Sequence, residues 1–559
     1  MCGVPASRWA TVRNIAAYAN RHALFSAGPL RRSLRRVKTL TESNQENIEL
    51  TSADYERYSP PEQELIRQAR AADRLAQKDT SFMGHPRGLL TLFNLELWER
   101  FSYLGFQAIL ALYLSAAVVN GGLGYETTTA SSIVAAYGAL LYLLSIGGAW
   151  IADRIIGTHK AVLWGGIIIA AGHICMGIPG HVGLTWAGLG FIIVGTGLLK
   201  PNVSTKVGEL YSPTDHRRDA GFSIYYAGIN IGAFLGPLVA GWLGQKINWH
   251  AGFSAAAIGM IIGVVLYSVQ GRYLGGHESA TRIRINFRPD KNFWYVVGLA
   301  AAVVVLAIIF AATSLVELDG FINAITALTI AVPAIYLVWM YRSPRVTNPE
   351  RGNLLPYAFL LIALVMYNLT YFQTGNTLNF LALERTNNTL GSFHYPSTWY
   401  ISLTAIVEII MGPVLAWVWV KLGKRQPHVA AKVGLGTILG GFAFILIALG
   451  GLATPHGHLM SAMWMFGCYV FLGLGDLLVQ TSGMSATTKL APRAFASQTM
   501  AVWFAAMAMA QGVQAQIVKF FSYENIVAYF GIQGLVIIAY GLFLVALTPW
   551  MRKRMTNVA

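Results

Sequence analysis

From about residue 88 to about residue 550 the chain is a train of long apolar runs separated by short polar breaks. Each run has the roughly 20 residues that a helix needs to cross the hydrocarbon core of a bilayer. In lipid, every backbone polar group must be satisfied internally, so only helices and closed barrels can span. Barrel strands would be alternating segments of about ten residues, and these runs are longer and apolar throughout. The expected fold class is therefore an all-α polytopic membrane protein.

Fourteen spans can be counted. Six begin near residues 88, 127, 159, 183, 219 and 250, two cover about 291–312 and 318–341, and six begin near 354, 396, 427, 459, 494 and 524. Lys and Arg collect on alternate loops, among them "DRIIGTHK", "GRYLGGHESATRIRINFRPDKN", "KLGKRQPHVAAK" and the terminal "MRKRM". The opposite loops, such as "NGGLGYETT" and "TSLVELDG", are nearly free of them. This asymmetry places both termini in the cytoplasm. It also accounts for a net charge of +16 without nucleic acid as a partner. Only 12% of residues are charged, about half the fraction usual in soluble domains. Cys2, Cys175 and Cys468 are too few and too scattered for a disulfide framework or a metal site. Residues 1–82 are polar, with a basic run "RRSLRRVK". They read as a disordered cytoplasmic extension, for which contact with surface lipid is the sharper alternative.

The informative residues are polar ones at membrane depth. "ELWERFSYLGFQ" (96–107) puts Glu96, Glu99 and Arg100 on neighbouring positions of one helical face, and Tyr103 and Gln107 continue that stripe. Such a stripe faces the bundle interior or a water-filled cavity; the bland alternative is an ion pair that only fixes packing. "GTGLLKPNVS" places Lys200 at the cytoplasmic end of the fourth span, where a snorkelling lysine is ordinary. "GFSIYYAGINIGAF" carries Asn230 on a Gly-rich helix, "GLGDLLVQTSG" carries Asp476 and Gln480, and "LTAIVEIIMGP" carries Glu408 with no base nearby in sequence. Five helices with inward polar groups imply a polar cavity and hence a solute path. No Ser/His/Asp set, metal-ligand cluster or phosphate-binding glycine loop is present, so an enzyme is not expected.

These segments resemble a known family. "ELWERFSYLGFQ" resembles the E-x-x-E-R-F-x-Y-Y-G motif of the proton-dependent oligopeptide transporters, and "LLKPNVS" and "FSIYYAGINIGAF" are similar to that family's fourth- and fifth-helix signatures. "GGAWIADRIIG" resembles the loop motif of the wider major facilitator superfamily. The resemblance covers nearly all of residues 84–550. It implies the major facilitator fold, with six-helix bundles at 83–275 and 351–559 and a linker at 276–350 holding two additional helices. It implies a proton-coupled symporter of di- and tripeptides working by alternating access, with protons as coupling ion and no cofactor. The proton-coupling residues it implies are Glu96, Glu99, Arg100 and Lys200. The implied substrate contacts are Arg100, Tyr103, Tyr142, Lys200, Asn230, Asp476 and Trp503, with Arg100 and Lys200 on the peptide carboxylate and Asn230 and Asp476 at its amino end. A monomer in a bacterial inner membrane is expected.

Four departures matter. The motif's second tyrosine is Leu104; the seventh-helix acid and its first-helix arginine partner are replaced by Phe372 and Gln107; the eighth-helix asparagine is Thr404, followed a turn later by Glu408; and the tenth-helix glutamate is the shorter Asp476. Glu408 is expected to supply a second protonation site. Two alternatives stand beside peptide symport: transport of another small charged solute by the same fold, and a peptide-binding membrane sensor.

Overall fold

The computed structural model describes residues 78–211, 215, 217–274, 318–455, 457–492 and 495–555. The expected extension up to residue 77 and the expected span at 291–312 lie outside the described residues. The first half contains α1 (Arg87–Ser115), α2 (Thr127–Ile151), α3 (Thr158–Gly177), α4 (Val182–Glu209), α5 (Arg218–Lys246) and α6 (Trp249–Gln270). An inserted helix, α7 (Leu318–Arg342), precedes the second half. That half contains α8 (Asn348–Tyr371), the short α9 (Thr377–Arg385), α10 (Ile401–Leu422), α11 (Val429–Ala453), α12 (Ala462–Leu490), α13 (Ala496–Ile517) and α14 (Ile526–Arg554).

Among the described residues, twelve stretches have the length and hydropathy to cross a bilayer. Helix α1 is as long, at 29 residues, and its polar stripe keeps its hydropathy below theirs. Helix starts fall within three residues of expectation except at α8 and at α10, where a tight turn at Ser397–Tyr400 precedes the helix. At α8 a capping box between Thr347 and Glu350, with proline at the first turn, starts the helix at Asn348, before the apolar run begins. Helix α4 also runs on to Glu209, so Lys200 stands well inside it and not at its end.

Without a hydrophobic drive between helices in lipid, close contact relies on small residues. On α3 and α4, Gly165 faces Gly195 and Gly172 faces Gly188, each so near the opposite backbone that a Cβ would lie 2.6–2.8 Å from a carbonyl oxygen. The same device joins α11 to α14 through Gly434 with Gly541 and Gly441 with Gly534.

The chain reverses at each short connection within each half, and Ser132 near the start of α2 meets Ala515 near the end of α13, so α1 begins and α14 ends on one face, called here the terminal face. The two halves are hydrogen-bonded to each other toward the opposite, far face. Ser132 Oγ on α2 donates to Ala515 O on α13 (2.9 Å), Asn379 Nδ2 on α9 to Ala108 O on α1 (2.7 Å), and Ser402 Oγ on α10 to Phe234 O on α5 (2.7 Å). Helices α8 and α9 belong to one span, broken at Phe372–Gly375. Irregular backbone at membrane depth is tolerated where protein buries it; Gln373, Thr374 and Asn376 are all buried, and the Asn376 side chain caps α9 by accepting from Thr377 N.

Candidate functional site

The three charges of α1 form one cluster. Arg100 Nε lies 2.9 Å from Glu96 Oε1 and 2.9 Å from Glu99 Oε2. Tyr225 on α5 donates its hydroxyl to Glu96 Oε2 at 2.9 Å. The carboxylate side chains are 4% and 1% exposed, so their charge is answered inside the protein or not at all. Helix α5 is drawn onto α1 by glycine: a Cβ on Gly228 would meet Phe93, and one on Gly232 would lie 2.1 Å from Leu97 O and 2.9 Å from Arg100 Cβ.

One guanidinium between two carboxylates leaves one negative charge in excess, and Lys200 is the further cation. Its ammonium rests over the rings of Tyr142 and Tyr103, 4.6 and 5.3 Å from their centroids, and 3.5 Å from the Tyr142 hydroxyl. Aromatic faces of this kind partly replace hydration for a buried cation. Helix α4 reaches α2 through Gly148 and Gly197, where a Cβ on Gly148 would lie 2.0 Å from Gly197 O. Pro201, four residues on, has no N–H to offer that carbonyl. Lys200 is thus held one turn from the closest α2–α4 approach, and the structure brings Glu96, Glu99, Arg100, Tyr103, Tyr142 and Lys200 together.

The opposite wall is acidic. Helix α10 packs on α12 where a Cβ on Gly473 would lie 3.0 Å from Thr404 O and 2.9 Å from Val407 Cβ. That contact sets Glu408, the next residue on α10, beside Asp476, one turn along α12; the two carboxyls are within electrostatic reach of each other. Gln480 and Tyr367 lie at the Asp476 carboxylate, while its buried Oδ1 has no hydrogen-bond partner. Between the walls, the Phe372 ring is 5.8 Å from that of Tyr142 and 6.1 Å from that of Tyr371. Gly375, three residues on, lies against Gln107, so the two neutral replacements, Phe372 and Gln107, occupy neighbouring ground.

Two expected contacts stand further off. Trp503 is 1% exposed and packed on Gly483, a wall residue beneath the cavity surface. Asn230 is half-buried, one turn along α5 from the exposed Tyr226, which is in reach of Glu96 and Arg100. Sequence reasoning missed the role of Tyr225, whose only signal was a pair of tyrosines on a glycine-rich helix, and that of Tyr367. Among the described residues no group of His, Cys, Asp and Glu is arranged to hold a metal ion. The first half offers two cations, Arg100 and Lys200, beside two carboxylates, and the second offers the acids Asp476 and Glu408, an arrangement that can bind a small zwitterion end to end.

Comparison with known proteins bears on the family of the chain. The model of the POT family (PTR2) matches residues 159–536. An uncharacterized transporter of Bacillus subtilis (strain 168), YclF, is 41% identical over 481 residues, 85% of this chain and 96% of its own length. A di-/tripeptide transporter of Lactococcus lactis subsp. cremoris is 37% identical over 494 residues, 87% of this chain and 99% of its own length. A crystal structure of a peptide transporter POT in complex with sulfate superimposes with a TM-score of 0.81 at 42% identity, covering 89% of this chain and 100% of that one.

Proposed function

The chain belongs to the POT family, and on that premise we propose that it imports di- and tripeptides with protons by alternating access. The observation that carries this reading is the separation of charge across the site. Arg100 and Lys200 stand on the first half, and Asp476 and Glu408 stand on the second with no base among their charged neighbours. A peptide is a zwitterion whose end-to-end distance is set by its backbone. Cations on one side and acids on the other therefore grip both ends and leave the side chains largely unread. The carboxylate goes to Lys200 and Arg100 and the ammonium to Asp476, with Asn230 on the path.

Coupling follows from the shared guanidinium. While Arg100 holds Glu96 and Glu99, its guanidinium offsets part of the cost of burying their charge. When a substrate carboxylate engages Arg100, a carboxylate left without its cation in a buried site binds a proton instead. Proton and peptide are then loaded together. With the termini in the cytoplasm of a bacterial inner membrane, the far face is external and the structure is closed to the outside. The protein acts as a monomer, surrounded by lipid, with protons and peptides as its only partners.

The test is uptake of labelled dialanine into proteoliposomes, acidic outside and negative inside. Accumulation is expected to collapse with an uncoupler and with Lys200→Ala. Absence of accumulation in sealed vesicles would overturn the peptide reading. A second reading, another small charged solute, is favoured by the extra acid Glu408. Failure of unlabelled dipeptides to compete with that solute would select it.

A further inference from the structure

The far-face closure has a property that the charged cluster does not share: every hydrogen bond in it joins neutral groups. Asn379 Nδ2 donates to Ala108 O at 2.7 Å, and its Oδ1 accepts from Ser397 Oγ at 2.8 Å. Ser397 Oγ in turn accepts from Gln245 Nε2 at 2.8 Å, and Ser397 N donates to Gln245 Oε1 at 3.1 Å. Trp399 Nε1 donates to Leu238 O at 3.2 Å alongside. Asn379 is 0% and Ser397 1% exposed. The chain of bonds therefore runs from α1 through α9 and the 397–400 turn to the end of α5, crossing twice between the halves. Among the described residues, no ion pair joins the two halves.

We propose that Asn379, Ser397 and Gln245 are the positioning residues that latch the far face shut, and that this latch closes and opens without binding or releasing a proton. It rests on the alternating-access reading, because a latch matters only where the two halves must part. Asn379 is the keystone: it donates to α1 of the first half while accepting from Ser397, which is itself bonded to α5 of the first half. An amide can do both at once, and does so at any pH. The closed face then needs no charged gate, which fits the neutral pair Gln107 and Phe372. Proton control is left to the carboxylates of the cavity.

The residue that decides this is Asn379, and its conservative replacement by an acid is diagnostic. A protonated carboxyl donates and accepts as the amide does; an ionised one only accepts and would face the Ala108 carbonyl oxygen. Asn379→Asp should therefore build a proton switch into a latch that had none. The other titratable groups toward the far-face ends of the elements around it are Tyr113 on α1, Tyr137 on α2, Glu384 and Arg385 on α9, Tyr395 and Tyr400 before α10, and Lys246 on α5. Further along the same helices are Glu96, Glu99, Arg100 and Tyr103 on α1, Tyr142 on α2, and Tyr225 and Tyr226 on α5. All are shared by the native and variant chains, so the difference between them isolates position 379.

Nitroxides at Asn120→Cys and Thr389→Cys, both exposed on far-face segments, would report the opening in the full chain in lipid nanodiscs. Cys2, Cys175 and Cys468 are replaced by alanine. With Asn379→Leu, the open-to-closed ratio should rise about tenfold at every pH, since in the closed state alone the buried Ser397 hydroxyl loses its acceptor and the link to the Ala108 carbonyl is gone. With Asn379→Asp, the distance distribution should match the native one at pH 5 and the leucine variant at pH 8. Ser397→Ala should open the face partway without changing the pH profile. The proposal is overturned if Asn379→Asp adds no pH step to the native baseline, or if Asn379→Leu leaves the closed population unchanged. Should the steps appear in a chain that takes up no dipeptide, the latch stands and the peptide reading fails. Intact uptake with no steps removes the latch alone.

Discussion

Arg100 is where the chemistry of the site is most exposed to a single change. Its Nε stands between two carboxylates at 2.9 Å each, a position that the planar guanidinium fills and a flexible ammonium does not. Arg100→Lys keeps the charge, yet proton-driven uptake is expected to fall by about tenfold or more, because one carboxylate of the pair loses its charge-assisted partner. Measuring uptake beside counterflow separates the causes: a loss confined to proton-driven uptake assigns Arg100 to coupling, and equal losses assign it to substrate binding. Outside the spans, His85 offers a second residue-scale prediction. Burial, then the neighbouring Arg217 guanidinium, holds its pKa below the ordinary histidine value, and its Nδ1 lies 2.9 Å from the Tyr211 hydroxyl. A neutral ring accepts the tyrosine proton; a charged one cannot. Because the folded pKa is depressed, the contact is at full strength above the ordinary value and weakens as pH falls below it. Amide exchange at residues 82–85, corrected for its intrinsic rate, should quicken between pH 7.5 and 5.5, and this added increase should vanish in His85→Gln.

At the scale of elements, the spans were legible because a helix in lipid has only one readable requirement, a run of apolar residues long enough to cross. The starts of α1 through α6 follow from that alone. Helix α8 does not, because its first turn is set by the polar cap at Thr347 and Glu350, which hydropathy ignores. Nor was the break after Tyr371 visible: Asn376 turns the backbone and caps α9, yet as one asparagine among polar neighbours it carries no distinct signal. The charges of α1 were legible because charge is rare in lipid, whereas the neutral latch was not. Asn379 and Ser397 look like any polar loop residues until the fold brings them to α1 and α5. Helix α7 shows a further contact that no pattern announced. Thr326 Oγ1 donates to Gly512 O at 2.9 Å and accepts from Gln516 Nε2 at 3.0 Å, and Lys519 pairs with Asp319 at 2.8 Å. These polar contacts tie α7 to α13, while Ile322 and Ile325 share an apolar cluster with the small Ala135, Ala136 and Ala139 of α2, flanked by Leu140. The inserted helix is therefore expected to travel with the second half. A Cβ on Gly512 would lie 2.2 Å from Thr329 Oγ1, so Gly512→Leu should push α7 away and lower the melting temperature, whereas Ala136→Ser should leave it unchanged.

For the molecule as a whole, the far face is closed by neutral groups in a family resemblance that otherwise implies an ion pair there. Gln107 lies against Gly375, and Phe372, three residues earlier, is stacked toward Tyr142. The pair can be rebuilt in one chain. Gln107→Arg alone would bury a cation without a partner, and a stranded charge costs about 3–5 kcal/mol. Phe372→Glu alone would do the same with the opposite sign and also remove the ring between Tyr142 and Tyr371. Together the two substitutions should recover much of what each loses, and the coupling between them, measured as a double-mutant cycle in thermal stability, should be favourable. The rebuilt pair should also change how the face responds to pH. An ion pair is lost when its carboxylate is protonated, so the double variant should open more readily at acid external pH than at neutral pH, a step absent from the native chain. Additive losses with no change in the pH response would mean that positions 107 and 372 do not meet when the far face closes, and that the latch at Asn379 closes it alone.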